Sequence, residues 1–414
     1  MEDKMKNFKI RAACGLLALT MGAVGITGCG AAKLDGTKTV VTVNEEAIPL
    51  GVASLAVRYT QAQNEYYYKQ FAAMYGSEST GIWDTKEDGS DVTYGEETKN
   101  DVLEKIEKMC LVRAHAADYQ VELTDAEKTK MTEAAKSFIE ANDADVLNRI
   151  GVTQADAEEY MELNTYYEKA FEPILADVTI EVTDEEAKQS SITYTFLSTK
   201  DMEDEAKAET KSKMETLLEE YKAQEDIASF DMKAYTEEKD DDYMTSTTSF
   251  GEEDEGTVDD AVKEVAQDLQ DGQLYDGIVE GNAGYFIVRM DKVTDPEATQ
   301  TKKESLAETK RQEAFDAIVD GWLKEADVKV EKSTWKKVTL TDKESYSLKI
   351  EDTTEDTTDD TTDAAVTDEA GADVELQDSD AAGTEADAAA TDGADTTAAD
   401  EATETPAETQ EAAE

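Results

Sequence analysis

Histidine is almost missing: one residue, His115, serves a chain of 414. A Ser–His or His–carboxylate pair therefore cannot be built away from its neighbourhood, which removes the commonest machinery of acid–base and nucleophilic catalysis. His115 lies about 100° off the apolar stripe of its own helix and reads as a surface residue. Cysteine is scarce too, with only Cys14, Cys29 and Cys110, which excludes a disulfide framework. Basic residues are outnumbered, 40 against 98 acids, for a net charge of −58. Such a balance excludes nucleic acid and anionic membrane surfaces as partners. The apolar run at the start, Ala12 to Ile26, has 15 residues, short of the ~20 a bilayer-spanning helix needs.

What is present begins with that run. Lys4, Lys6, Lys9 and Arg11 precede it, and Ile26-Thr27-Gly28-Cys29 closes it. A basic n-region, a short apolar core and small residues at the end make a secretory signal. The last four residues resemble a bacterial lipobox, which implies cleavage before Cys29 and lipidation of its thiol; an ordinary signal peptide with an incidental cysteine is the alternative. Cys110 would then be the lone remaining thiol besides the anchor. It falls at helical spacing with Leu103, Ile106 and Ala114, as a buried apolar side chain does.

The opposite end is built almost wholly from Asp, Glu, Thr, Ala and Gly. Residues 351–414 hold 23 acids and no base, too little apolar area to offset chain entropy, so a disordered tail is expected. Between the two ends, Lys38–Val43 reads as a strand and Gly51 to Tyr75 as a long helix. Gly76–Gly95 reads as a polar loop, followed by a helix striped by Val102, Ile106 and Met109. Thr124, Thr153 and Thr183 each stand three residues before an acid, the grammar of a capping box. Within that long helix, Tyr66-Tyr67-Tyr68 and Phe71 cannot all face one side, so at least one aromatic is expected at the surface.

At Ser191 the period changes. Ile192–Leu197 reads as a strand, Asp201–Glu225 as a charged helix and Phe230–Tyr235 as a short one. The acidic loop Glu237–Asp242 follows, then a helix over Val258–Leu269. That loop lacks the alternating ligands, central Gly and closing Glu of a calcium loop, so no metal site is expected. Two short apolar runs, Gln273–Val279 and Tyr285–Met290, then flank Glu280–Gly284 as a hairpin. Beyond Pro296 the pattern returns to helix through Leu306, Phe315, Ile318, Val319 and Trp322. Asp327–Val330 and Trp335–Leu340 read as strand-like ends.

Gly272, Gly284-Tyr285, Ile287 and Val288 resemble the end of a parvulin-type peptidyl-prolyl isomerase domain. With the lipobox and the order of elements, the chain over roughly residues 36–345 resembles the PrsA-type foldase lipoproteins, relatives of the SurA-like chaperones. The resemblance implies an α+β fold: a helical chaperone domain built from N- and C-terminal segments, with a parvulin-like domain inserted. The implied boundaries are a signal at 1–28, a tether at 29–37, helical parts at 38–188 and 295–345, the parvulin-like domain at 189–294, and the tail at 346–414. It implies a membrane-anchored foldase outside the cytoplasm, acting on newly exported or unfolded polypeptides without cofactor, with pairing of two copies left open.

The family's pocket positions fall on Tyr194 and Phe286, where the family has histidines, and on Asp240, with Asp241 or Asp242 as alternatives. Substrate-lining positions fall on Thr257, on Ala261 or Val262, and on Tyr285. A surface-structural or ligand-capturing lipoprotein is the reading from another class.

Overall fold

A computed structural model describes residues 19–24, 33–74, 81–87, 89–239, 242–254 and 256–350. Cys14, Cys29, Asp240, Asp241 and all of the expected tail but its first five residues lie outside the described residues; those five, 346–350, are strand where a disordered tail was expected. Part of the apolar run forms a strand, Leu19–Val24 (β1). Thr39–Val43 (β2) turns at Asn44, whose φ of 55° suits a short polar side chain, into Glu46–Pro49 (β3). The helices Leu50–Met74 (α1), Tyr94–His115 (α2), Asp125–Ala141 (α3), Ala144–Ile150 (α4) and Gln154–Leu175 (α5) follow.

The caps are where the sequence puts them. Thr124 and Thr153 accept from the N–H three residues on, and Glu127 and Asp156 reciprocate, closing both boxes. Thr183 makes the same pair of bonds with Glu186, yet the chain there takes only a turn. A cap satisfies a helix start; it does not supply the apolar face that keeps a helix.

The inserted unit runs Ser190–Ser198 (β4), Asp204–Lys222 (α6), Met232–Glu237 (α7), Met244–Phe250 (β5), Asp260–Gln267 (α8), Val279–Glu280 (β6) and Gly284–Lys292 (β7). Its four strands are antiparallel in the order β5-β4-β7-β6. β5 escapes a reading by apolar period because Met-Thr-Ser-Thr-Thr-Ser-Phe carries almost no apolar residue. Its hydroxyls pair across the ladder instead: Thr245 with Thr195 and Thr247 with Thr193, each at 2.8 Å. The first arm of the expected hairpin is mostly irregular. Only Val279 and Glu280 are strand, while Gly272, Gln273 and Tyr275 run beside β7 through isolated backbone bonds. Gly272 has a φ of +74°, a conformation glycine takes freely.

The chain then returns. Asp295 caps Pro296–Glu325 (α9), with Pro296 in the first turn where its missing N–H costs nothing. Val328–Val330 (β8) joins β2 antiparallel, so the first and last parts of the helical region share a sheet. Val41, Ile48, Leu55, Ile106, Met109, Leu147 and Met161 form its main core with Val338 and Leu340 from the C-terminal segment. Cys110 is buried in that core, and burial pushes its thiol up to about 12, so it behaves as a small apolar group. The expected strand at Trp335–Leu340 does not form: Trp335 ends a short helix, Lys332–Trp335 (α10), and residues 336–340 are turn and irregular chain. Trp335 is drawn inward, its Nε1 donating to Asn100 at 3.1 Å beneath the Lys99 ammonium. The last strand, Ser345–Ile350 (β9), pairs with β1.

Glu107 on α2 is buried in this domain, and burial, with the nearby Glu104 carboxylate, pushes its carboxyl up to about 7. The folded state then binds more protons than the unfolded one between about pH 4.5 and 7, so stability falls as pH rises through that window. Glu107→Gln is expected to remove this slope. It should gain about 1 kcal/mol at pH 8, a value discounted for the water that still reaches the group, and nothing at pH 4. Melting temperatures of both proteins across pH 4–8 check it; parallel curves refute it.

Candidate functional site

Alternation on β4 sends Ile192, Tyr194 and Phe196 to one face of the inserted sheet and Thr193, Thr195 and Leu197 to the other. On β7 the first face receives Phe286, Val288 and Met290, because Tyr194 pairs with Val288 and Phe196 with Phe286. Cross-strand partners share a face, so one rung runs Met244–Phe196–Phe286–Val279 through all four strands. The next rung sets Ser246, Tyr194 and Val288 side by side.

The rings lock together. Phe286 lies 4.7 Å from Phe196 and 5.8 Å, edge-on, from Tyr194, and all three are half-buried. Met244 is 63% exposed beside Phe196, which extends the aromatic floor to the sheet edge. Helix α8 covers the far part of this face with Val262 and Ala266, packed on Ile192, Val288 and Met290.

A turn closes the β6 side. Asp259 caps α8 and its Oδ2 also accepts from the Asn282 N–H at 2.8 Å. Gly281 passes so near that a Cβ there would stand 2.7 Å from the Phe286 ring and 2.6 Å from Asp259. Gly284 opens β7 under a similar constraint, since a Cβ would meet the Leu197 carbonyl oxygen at 2.0 Å.

The other face is core. Leu197, Met214, Leu217, Tyr221, Tyr285 and Ile287 pack under α6 and α7. Tyr221 bonds Thr195 at 2.9 Å, and burial pushes its phenol up to about 12. Arg289 spans from Asp291, at 2.7 Å, to the carbonyl oxygens of Ile227 and Phe230, at 2.8 and 2.7 Å, tying that loop to the sheet.

The expected site residues therefore divide. Tyr194 and Phe286 meet on one floor, and Val262 lies beneath it as buried core. Thr257 is exposed on the loop before α8. Tyr285 is corrected by strand parity: one residue from Phe286, it points to the opposite face, where the Lys211 ammonium stands 5.8 Å from its ring. Asp240 and Asp241 lie outside the described residues, and Asp242 is exposed. Two residues of the floor were not singled out from sequence. Phe196, two beyond Tyr194, was open to the period of a strand; Met244 was not, because β5 itself carried no such signal. His115, expected at the surface, is half-buried: its ring stacks on Trp322 at 4.2 Å, far from this floor in the chain.

Chemically the floor offers rings, a thioether and the hydroxyls of Tyr194 and Ser246. Among the described residues no group of three or more His, Cys, Asp or Glu is arranged to hold a metal, and no helix is long and apolar enough to cross a membrane. Such a surface can hold a prolyl ring or another apolar side chain by stacking. It has no imidazole with which to move a proton.

A second feature joins the unit to the helical region. Asp254 Oδ2 accepts from Gln189 Nε2 at 2.9 Å and the Gly251 N–H at 2.7 Å, while Oδ1 accepts from Lys302 Nζ at 2.8 Å. Partial burial alone would raise its carboxyl; these bonds outweigh it and hold the group down at about 2. A cavity of about 730 Å³ opens beside this junction and not at the aromatic floor.

The rotamase family model, described as a PPIC-type PPIase domain, matches residues 195–292. No curated protein matches the chain. Among solved structures the chain is similar to the peptidylprolyl isomerase PrsA of Bacillus cereus, at 22% identity over 63% of this chain and 97% of that one, with a TM-score of 0.24. PrsA of Bacillus subtilis is matched at 17% identity, 60% and 93% coverage and a TM-score of 0.21. A structure reported with two SurA-like chaperones of Campylobacter jejuni is matched at 14% identity, 71% and 100% coverage and a TM-score of 0.16. The four-stranded antiparallel sheet, the glycine-bounded last strand and the matched span agree on one assignment: residues 195–292 form a rotamase domain of the PPIC type.

Proposed function

We propose that the chain is a PrsA-type foldase, lipid-anchored at Cys29 on the outer face of the membrane, that binds unfolded exported polypeptides. Its domains would divide at residues 28, 37, 188 and 294, and the tail would begin beyond β9. The observation that carries this is the PPIC-type span at residues 195–292 with an aromatic floor on one face of its sheet. Its rotamase domain works as a grip for prolyl and apolar side chains. Rotation about an X–Pro bond faces a barrier of ~18–20 kcal/mol, and lowering it needs a group that polarises the imide. Where the family has imidazoles this floor has a phenol and a phenyl ring.

A second apolar surface supports the binding role. Tyr66, Tyr67, Tyr68 and Phe71 on α1 are 38%, 45%, 43% and 60% exposed, more aromatic area than one helix normally leaves to water.

The test is a proline-limited refolding assay on the chain from residue 29, paired with an aggregation assay on the same substrate. The expected result is suppressed aggregation with less than about twofold acceleration of the slow phase, since that phase reports the isomerisation barrier itself. Phe286→Ala should weaken binding of a proline-containing peptide about tenfold, the worth of one well-stacked ring. Acceleration of a hundredfold or more would restore the isomerase reading. Binding to neither substrate would leave the surface-structural lipoprotein.

A further inference from the structure

The strand β9 is held in place from one side and paired on the other. On its inner side three α1 side chains fasten it. Arg58 reaches Glu344 at 3.3 Å and lies 4.7 Å over the Tyr346 ring; Gln61 Nε2 donates to the Glu344 carbonyl at 2.6 Å; Glu65 accepts from the Ser345 hydroxyl. Arg58 and Gln61 are 3% and 0% exposed, and Tyr346 is 1% exposed. These bonds are all made within the helical domain.

The outer edge of β9 is filled by β1. Six residues pair antiparallel without a break, Leu19 opposite Ile350 through Val24 opposite Ser345. β1 also lies near α3 and α4. Leu-Thr-Met-Gly-Ala-Val is thus an uncharged, extended segment paired along the β9 edge. By the reading above that segment belongs to the signal and is removed with it. A fixed strand would then keep its place and lose its partner, leaving up to six residues of unpaired backbone along one edge. An edge of that kind takes another strand by main-chain hydrogen bonding, largely independent of sequence.

We propose that the β9 edge is a binding site for an extended, uncharged segment of an unfolded polypeptide, added as an antiparallel strand where Leu19–Val24 lies. This deepens the foldase reading and rests on the maturation step in it. Three observations name the occupant. The segment seated there is itself short, extended and free of charge. The exposed tyrosines stand on the same helix that holds β9, and Tyr68 and Ser345 line one cavity of about 200 Å³ between them. The large negative charge of each copy, −58 for the full chain and no smaller once the basic residues 1–28 are gone, opposes the alternative of two β9 edges pairing with each other. Main-chain pairing suits a protein that must accept many sequences, because the backbone is what unfolded chains have in common.

The test compares two recombinant forms, the full chain and the chain from residue 29 with Cys29→Ala. Each is titrated with a fluorescent peptide of residues 17–26 carrying a neutral solubilising tail, read by anisotropy. The shortened form should bind at least tenfold more tightly than the full chain, whose own β1 competes at high effective concentration. N-methylation of successive peptide residues should alternate, weakening binding at every second position and sparing the others, as strand pairing requires. That readout leaves the protein unaltered. Equal binding by both forms, or N-methyl effects without alternation, would overturn the site. A shortened form that sediments as a dimer and is split by the peptide would assign the edge to a second copy. The mass of protein recovered from membranes tests the maturation step separately: if residues 1–28 persist, the foldase reading loses its anchor while the comparison of the two recombinant forms still decides the edge.

Discussion

Phe315→Ala is expected to destabilise the helical domain by about 3–5 kcal/mol, the range for emptying a large, closely packed aromatic site. Phe315 lies on the returning helix α9 and is 0% exposed. It is held between Tyr167, edge-on at 5.1 Å, and Phe171 at 5.0 Å, with Val112, Ala170, Ile174 and Val319 around it. Apart from Val319, on α9 itself, these partners come from α2 and α5, both before the rotamase domain in sequence, so the ring is a direct measure of whether the two flanking segments fold as one body. The void cannot close easily, because its walls are three helices already packed on the main core. Most domains have only 5–15 kcal/mol to lose, so the loss should be conspicuous. All three tryptophans, Trp83, Trp322 and Trp335, lie outside residues 189–294, and their fluorescence in urea reports the helical domain alone. The expected result is a lower midpoint with an unchanged slope. A shift below about 1 kcal/mol would mean that α9 contributes little to that body, whatever its contacts.

What the sequence makes legible follows from which physical signals are local. Thr124 and Thr153 predict helix starts because a cap is satisfied by residues three apart, and both boxes are present. The α9 stripe of Phe315, Ile318, Val319 and Trp322 predicts a buried helix face for the same reason, although not what it meets. Thr183 shows the limit: a correct local signal that the fold leaves unused, because no apolar stripe follows it.

Signals that depend on pairing are less visible. β5 is held by threonine hydroxyls across the ladder, and nothing in Met-Thr-Ser-Thr-Thr-Ser-Phe announces that partner. With β5 unread, Met244 could not be placed beside Phe196, and the floor looked smaller than it is. Tyr285 failed through parity. A motif names neighbouring residues together, whereas a strand sends them to opposite faces, and only Phe286 reaches the floor. The absence of histidine from residues 195–292, by contrast, was fully legible, since the chain's one histidine is His115.

The Arg113 guanidinium makes the second large effect. Reaching from α2, it donates to Glu46 on β3 and to Glu159 and Glu162 on α5, the last two at 2.7 and 3.2 Å. Its side chain is 17% exposed, and those of its partners 34–39%. One cation thus organises three carboxylates from two other elements. Removing it leaves three like charges around a hole, a penalty that comes from the unpaired partners more than from the lost bonds. Arg113→Ala should cost about 3 kcal/mol, the low end for breaking a buried pair, because each carboxylate keeps some contact with water.

Lysine is not a sufficient substitute, since its three N–H bonds diverge from one nitrogen and do not match acceptors arranged around a planar fork. Arg113→Lys should recover about half of the loss. Salt separates this mechanism from simple loss of packing: raising ionic strength from 0.05 to about 1 M shortens the screening length to roughly 3 Å and should narrow the gap between wild type and Arg113→Ala. Urea midpoints at both salt concentrations, read by tryptophan fluorescence, measure it. A gap unchanged by salt would place the effect in the aliphatic stem of Arg113 and not in the three carboxylates it holds.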